Sequence, residues 1–441
     1  MAIPVALEVE KHRACLIPDN SISDREKRLT SVTLSVMQLV PEFAEKLLGS
    51  IGVRLGKRSR LINYVEVELE RDKKTKKSVN RPDGLITIDT GRTSWSALVE
   101  AKTDNNELNE DQVKRYMDLA TRHDIDAVIT ISNQFVAIPA HHPFSNLQDK
   151  RRKVSLFHWS WTSIETQATL LADEDDFVQP EKRFVLAEYL RFLRSDKSGM
   201  RSFDSMNPEW PAVVKHAATG EAFKLDAAIE NTVGCWHQEI RDLVLMLSRE
   251  LKQSVRLKLP KAQSADPVLR VQDDVKQLIQ TSCLRCELEV PNAASNLELK
   301  AYLTGKTVSL SMQMDAPDDK KSASARINWL TRQLKEAVDK PVKIICYGKR
   351  KTQCAEASLA EAKEESHEAF GERLNFTPEK FVVCWTEHMS RDFSKNKVFI
   401  QRLEETVRQF YMHVAENLKA YQPAAPKIKE QAVASGESSS D

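Results

Sequence analysis

From 25 to 52 the chain reads REKRLTSVTLSVMQLVPEFAEKLLGSIG, with apolar side chains at Leu29, Val32, Val36, Leu39, Val40, Phe43 and Leu47. Spacings of three and four put these on one buried stripe of a helix. Ser21 or Ser23 can cap its start. Pro41, which has no amide to donate, kinks or divides it, and Gly49 and Gly52 stop it. The period then changes. In LINYVEVELE, from 61 to 70, Val65, Val67 and Leu69 alternate with Glu66, Glu68 and Glu70, the pattern of a half-solvated strand. Two short apolar runs, Leu85 to Ile88 and Trp95 to Val99, flank the turn formers Asp-Thr-Gly-Arg-Thr. They predict a hairpin. A helix follows with Asn109 as its cap and Val113, Tyr116, Met117 and Ala120 as its apolar stripe. Strands at 126–132 and 154–159, a helix at 160–172 and an amphipathic helix at 181–194 complete the first region.

The turn-rich segment SDKSGMRSFDSMNPEWP marks a boundary, and its Asp204, Asn207 and Glu209 read as polar linker residues. Beyond it a helix is predicted over 229–252. The segment LKLPKAQSADPVLRVQDDVK breaks the pattern and reads as a strand pair. TSCLRCELEV, NLELKAYLTGKTVSLSMQMDA, PVKIICYG and KFVVCWTEHM follow as strands, and SASARINWLTRQLKEAV and SKNKVFIQRLEETVRQFYMHVAENLKAY as helices. Three parts are expected: a first domain over 1–200, a mixed α+β domain over 201–422, and a disordered tail over 423–441 rich in Ala, Pro, Ser and charge.

Composition narrows the function classes. The 441 residues hold 65 basic and 64 acidic side chains, for a formal net charge of +1. Bulk charge therefore does not bind nucleic acid here, and any such contact must use local patches. A hydrophobic content of 41% supports real cores. No apolar run is long enough to span a membrane, and the start, MAIPVALEVEKHR, lacks a secretory pattern. Seven cysteines, thinly spread, suit a reducing compartment, so a cytoplasmic protein without a membrane partner is expected. Cys283 and Cys286 make half a zinc site without a second pair. No glycine-rich phosphate loop supports a dinucleotide fold. His141 and His142 read as loop residues, and Arg326, Arg332 and Lys335 as a solvated helix face.

The chemistry gathers on the hairpin. Asp83 follows Pro82 at the start of the first strand, and Glu100, Ala101 and Lys102 end the second. Side chains two apart in a strand face the same way, so Glu100 and Lys102 share a face and the hairpin can bring Asp83 to them. Two carboxylates can hold a hard cation, Mg²⁺ or Mn²⁺, with an ammonium beside them. Glu66 and Glu68 read as polar-face residues of a neighbouring strand. Lys73, Lys74, Lys76 and Lys77 lie in the loop leading to Arg81, and Lys150, Arg151 and Arg152 form a second basic run. Both suit phosphate contact, or else are solvated loops.

Pro82-Asp83 with Glu100-Ala101-Lys102, followed by Gln112 and Tyr116 in a Gln-x-x-x-Tyr arrangement, resembles the PD-(D/E)xK nuclease superfamily. The resemblance covers roughly residues 22 to 195, less than half the chain. It implies an α/β fold with a restriction-endonuclease-like αβββαβ core beside the second, α+β domain. It also implies metal-dependent hydrolysis of phosphodiester bonds, with DNA expected over RNA and a 5′-phosphate product. Asp83, Glu100 and the Ala101 carbonyl would be the metal ligands. Lys102 would orient the attacking water or stabilise charge developing on phosphorus, and Gln112 would orient Lys102 or a phosphate. Nucleases of this group often recruit a carboxylate from the first helix, and Glu26 fits that role or is simply an acid at a helix N-terminus. Repair, restriction and defence against foreign DNA all fit, as does a homodimer or a regulatory protein partner. The rival reading is a nucleic-acid-binding or protein-recruiting module on the same fold that does not cleave.

Overall fold

Helix α1 (Arg25–Leu39) stops at Val40, and α2 (Pro41–Gly49) starts on the proline that divides them. This is a computed structural model, and it describes residues 14, 16, 24–56, 58–70, 80–91, 93–136, 138–140, 142–147, 153–174, 177, 179–350, 352–363 and 370–422. Ser21 and Ser23 fall outside them. Asp24 holds the N-cap position of α1 without a side-chain cap bond. The expected single stripe on α1 is exceeded, because every residue from Leu29 to Met37 is buried, while Leu39 is 48% exposed. Small hydroxyl residues make this tolerable. Thr33 Oγ1 donates to the Leu29 carbonyl and shares a hydrogen bond with Tyr189 Oη, so its polar atom is satisfied inside the core.

The chain forms two compact units. The first runs through Asn292 and takes in Asn296–Leu310 and Thr386–Gln409, and the second holds Ala293–Ser295, Ser311–Trp385 and the described residues from Phe410 onward.

In the first unit, β1 (Arg60–Val65), β2 (Gly84–Asp89), β3 (Ser94–Ala101), α3 (Glu110–Arg122), β4 (Ala127–Ser132), β5 (Ser155–Ser160), α4 (Trp161–Ala172) and α5 (Pro180–Leu193) follow α2. Their sheet has the order β1-β2-β3-β4-β5. β1, β2 and β3 are antiparallel neighbours, β4 runs parallel to β3, and β5 parallel to β4. One face carries Ile86, Ala97, Val99 and Ala101 against α1, α2, α4 and α5. The other carries Leu85 and Leu98 against Val113, Tyr116 and Met117 of α3. Gly84 allows α1 to approach β2 closely: a Cβ there would lie 2.6 Å from Leu34 Cδ1 and 3.2 Å from the Tyr64 carbonyl.

The alternating segment over 61–70 is shorter than its pattern predicts. β1 ends at Val65, and Glu66 takes a left-handed φ of 50°. That twist reverses the alternation. Val65 packs on the α1 side, while Val67 and Leu69 join the α3 side with Tyr64.

The first unit continues with α6 (Trp210–Thr219), α7 (Ala227–Leu251), β6 (Arg256–Leu257), α8 (Lys261–Ala265), α9 (Pro267–Thr281), β7 (Cys283–Glu289) and β8 (Leu297–Tyr302). Two expectations are corrected here. The segment read as a linker ends inside a helix, since Trp210 and Pro211 are the first two residues of α6. The segment read as a strand pair holds only the last residue of the two-residue β6, then α8 and most of α9 (the Asp266 side chain accepts from the Val268 and Leu269 amides at the start of α9). Asn207 is buried and donates to Glu209 Oε2 at 2.8 Å.

Further along come β9 (Thr307–Asp315), α10 (Ala323–Gln333), β10 (Val342–Tyr347), β11 (Cys354–Ser358), α11 (Leu359–Ala362), α12 (Phe370–Arg373), β12 (Lys380–His388) and α13 (Asn396–Phe410). In the first unit, β6, β7 and β8 are antiparallel neighbours in a second sheet. In the second unit, β10 pairs antiparallel with both β11, which the hydrophobic pattern did not reveal, and β12. Arg326 there is no solvated side chain, since it donates to the Lys320 and Pro378 carbonyls. Mixed α/β architecture with two sheet-containing regions is thus established. Among the described residues no helix is long and apolar enough to cross a membrane.

Candidate active site

Antiparallel pairing of Gly84 with Val99 sets Asp83 across from Glu100. The two halves are joined directly, because the Ala101 amide donates to Asp83 Oδ2 at 2.8 Å. Beyond the strand end, the Lys102 amide donates to the Ile131 carbonyl and the Trp161 indole to the Lys102 carbonyl. Lys102 Nζ then reaches Glu100 Oε1 at 2.6 Å, the Ala101 carbonyl at 3.1 Å and Glu26 Oε2 at 3.5 Å.

Glu100 is 2% exposed. Its Oε1 also accepts from Gln112 Nε2 at 2.8 Å, while Oε2 has no hydrogen-bond partner. Burial raises its pKa, and the Lys102 ammonium offsets that only in part. Asp83 is pushed well above the ordinary carboxylate range, first by burial and then by the Glu100 charge. Burial opposes the charge on Lys102, but the Glu100, Asp83 and Glu26 carboxylates outweigh it and hold its pKa above the usual value. Two desolvated carboxylates thus face one ammonium.

Gln112 sits where Asn109 places it. The Asn109 side chain caps α3 by accepting from the Gln112 amide. The Gln112 side-chain amide turns to Glu100 and to Tyr116 Oη at 3.1 Å, rather than to Lys102. Tyr116 Oη donates in turn to the Arg81 carbonyl at 3.1 Å. Burial, with the Glu100 charge, raises the Tyr116 pKa, so the phenol stays a neutral donor. Tyr116 is therefore more than packing: it fixes Gln112 and ties α3 to the segment before Asp83.

Glu26 lies in the first turn of α1 and comes to the site. Its Oε1 accepts from Asn106 Nδ2 at 2.6 Å and from the Thr103 amide at 3.4 Å. Arg81 is exposed and bonds Glu66, donating to its Oε2 at 3.0 Å, and Lys27 reaches Glu66 Oε1 at 2.9 Å. Glu66 thus bridges two cations outside the carboxylate pair. Lys73, Lys74, Lys76, Lys77, Lys150, Arg151, Arg152 and His141 lie outside the described residues.

The donor set suits a hard cation. Asp83, Glu100 and the Ala101 carbonyl are oxygen ligands, and Glu100 Oε2 is a buried anion oxygen without a partner. Among the described residues no three His, Cys, Asp or Glu side chains form a complete metal cage. An ion held here would keep open positions for water or a phosphate, as Mg²⁺ does. Cys283 and Cys286 lie along one strand, β7.

A second polar group backs the site. Thr130 stands beside Glu100 in the parallel β3–β4 register. Its Oγ1 contacts His142 Nε2 and His158 Nδ1, each at 2.8 Å. His158 Nε2 faces the Gln134 carbonyl at 3.0 Å, and His142 Nδ1 accepts from the Phe144 amide. A carbonyl can only accept and an amide only donate, so the tautomers follow. His142 Nε2–H donates to Thr130, Thr130 donates to His158 Nδ1, and His158 Nε2–H donates to Gln134. Both rings are neutral. Burial lowers the pKa of His142 to about 2 and that of His158 to about 4. His142 lies in the loop between β4 and β5, as expected, but its ring is buried in the core.

Asn106, Trp161 and Thr130 support the site without any sequence signal, since each acts through a contact distant in the chain. No family model, no curated protein and no solved structure matches this chain.

Proposed function

We propose that the first unit carries a metal-dependent nuclease of the PD-(D/E)xK type that hydrolyses phosphodiester bonds of DNA. The observation that carries this reading is the meeting of the two half-motifs. Asp83 Oδ2 holds the Ala101 amide, and Lys102 Nζ holds Glu100. The order α1, β1, β2, β3, α3, β4, with three antiparallel strands and β4 parallel to β3, supports a restriction-endonuclease-like core.

Mg²⁺ or Mn²⁺, held by Asp83, Glu100 and the Ala101 carbonyl, would polarise the phosphate and lower the pKa of a bound water. Lys102 supplies a positive charge beside those oxygens, held protonated by its neighbours, and places it where negative charge develops on phosphorus. Gln112 positions Glu100, and Tyr116 positions Gln112. Glu26, carried in by α1 and held by Asn106, extends the anionic site. Arg81 and the lysines over 73–77 are the proposed phosphate contacts on the approach to Asp83. Repair, restriction and defence against foreign DNA remain the candidate settings.

The test is cleavage of linear, circular and single-stranded DNA, and of RNA, with and without Mg²⁺ or Mn²⁺. Wild type is compared with Asp83→Ala and Lys102→Ala. Metal-dependent cutting lost in both variants supports the proposal. Cutting that persists in both removes the site assignment, and binding without cutting of any polymer favours the non-cleaving module.

A further inference from the structure

Away from the carboxylate pair, a pocket of about 270 Å³ lies between the segment after β4 and helices α7 and α9 of the same unit, lined by Gln134, Phe135, Gly234, His237 and Arg270 among others. None of its lining residues is acidic. Arg270 is only 5% exposed, and its Nε has no hydrogen-bond partner. Its ion-pair partner is Asp274, with Oδ2 3.8 Å from Nε, and that same oxygen is already engaged by His237 Nε2 at 2.6 Å. A guanidinium taken out of water this way is under-compensated, because burying a charge is costly unless it is paired and hydrogen-bonded. Gln134 Oε1 is a second buried polar atom without a partner. Turned about its last torsion, the amide presents two donors instead. The rest of the wall is mainly apolar, with Phe135, Pro143 and Val271 beside the polar Gln238.

We propose that this pocket binds a small organic anion, a carboxylate or phosphate group carried on a single apolar ring or branched body. Guanidinium matches either oxyanion in a planar, two-bond geometry. The apolar wall takes the body. The volume lies just under the range of about 300–1,000 Å³ usual for drug-sized ligands, which limits the ligand to one ring. Burial lowers the Arg270 pKa even with Asp274 near it, and an anion against the guanidinium relieves that. The proposal is independent of the nuclease reading.

Calorimetric titration of the full chain with benzoate, phenyl phosphate, inorganic phosphate and, as a cationic control, benzylamine tests it. Gly234 supplies the decisive variant. It lines the pocket within α7, and a Cβ there meets nothing within 4 Å. Gly234→Leu therefore fills the pocket and favours the helix. Benzoate or phenyl phosphate should bind one per chain, with benzylamine silent and inorganic phosphate weaker. Gly234→Leu should weaken that binding at least about tenfold, some 1.4 kcal/mol, without lowering the unfolding midpoint, and Arg270→Gln should weaken it as well. Which aromatic anion binds decides between carboxylate and phosphate. The proposal is overturned if neither binds, if Gly234→Leu binds equally well, or if inorganic phosphate binds as tightly as phenyl phosphate.

Discussion

Lys102 Nζ lies 2.6 Å from Glu100 Oε1, and the two side chains are 16% and 2% exposed. The pair is nearly dry, so its members depend on each other. Removing one partner of such a pair leaves an uncompensated charge, at a cost of about 3–5 kcal/mol when fully buried. Lys102→Met should therefore lower the unfolding midpoint. A divalent cation that binds the same oxygens should restore part of the loss. Mg²⁺ should raise the melting temperature of Lys102→Met more than that of wild type, as read by thermal denaturation with and without the ion. An equal rise would show that lysine and metal do not share those oxygens.

Gln112 acts on Glu100 rather than on a substrate. Groups that orient a metal ligand through a hydrogen bond are typically worth about 10- to 100-fold in metal affinity or activity. Gln112→Ala should lose that much Mn²⁺ affinity while polymer binding in the absence of metal stays unchanged. If instead polymer binding falls and Mn²⁺ affinity holds, Gln112 contacts the phosphate.

The Thr130–His142–His158 chain sets a pH dependence of stability. Both histidines are lowered from 6.5, to about 2 and about 4. Below pH 6.5 the unfolded chain binds protons that the folded chain refuses, so stability is fully present above pH 6.5 and is lost as pH falls. At about pH 5 each histidine should remove about 2 kcal/mol. Urea unfolding across this range should show the slope in wild type and a much flatter one in the double variant His142→Gln/His158→Gln. An unchanged slope would rule out these two rings as its source.

The carboxylates act with the opposite sign. Asp83 has a raised pKa, so the folded chain keeps its proton to a higher pH than the unfolded one does. Its contribution to stability is best at low pH and is lost as pH rises through the raised value. Asp83→Asn keeps an oxygen for the Ala101 amide and removes the repulsion with Glu100. Without metal it should be more stable than wild type at neutral pH. Thermal denaturation in a chelator reads this directly, and a lower midpoint would contradict it.

Much of this site was legible in the chain. The hairpin announces itself by two short apolar runs around a turn, and Asp83, Glu100 and Lys102 fall at its ends by strand alternation alone. The α3 cap and stripe follow from Asn109 and the helical period. What escaped has physical reasons. The left-handed Glu66 reverses a strand pattern that still looks perfect in sequence. Prolines read as breakers, yet Pro211 and Pro267 stand in the first turns of α6 and α9, where a missing amide costs nothing. The contacts of Asn106 with Glu26, of Trp161 with Lys102 and of Thr130 with two histidines join residues far apart in the chain. Local pattern carries no trace of such pairs.

The most direct measurement of the central claim is nicking of circular duplex DNA in Mg²⁺ by wild type and by Asp83→Asn, each shown to be folded by its unfolding midpoint. The site as described predicts that wild type cuts and that Asp83→Asn, no less stable, does not. Equal cutting by the two proteins would contradict it, and so would a folded wild type that cuts no nucleic acid in either Mg²⁺ or Mn²⁺.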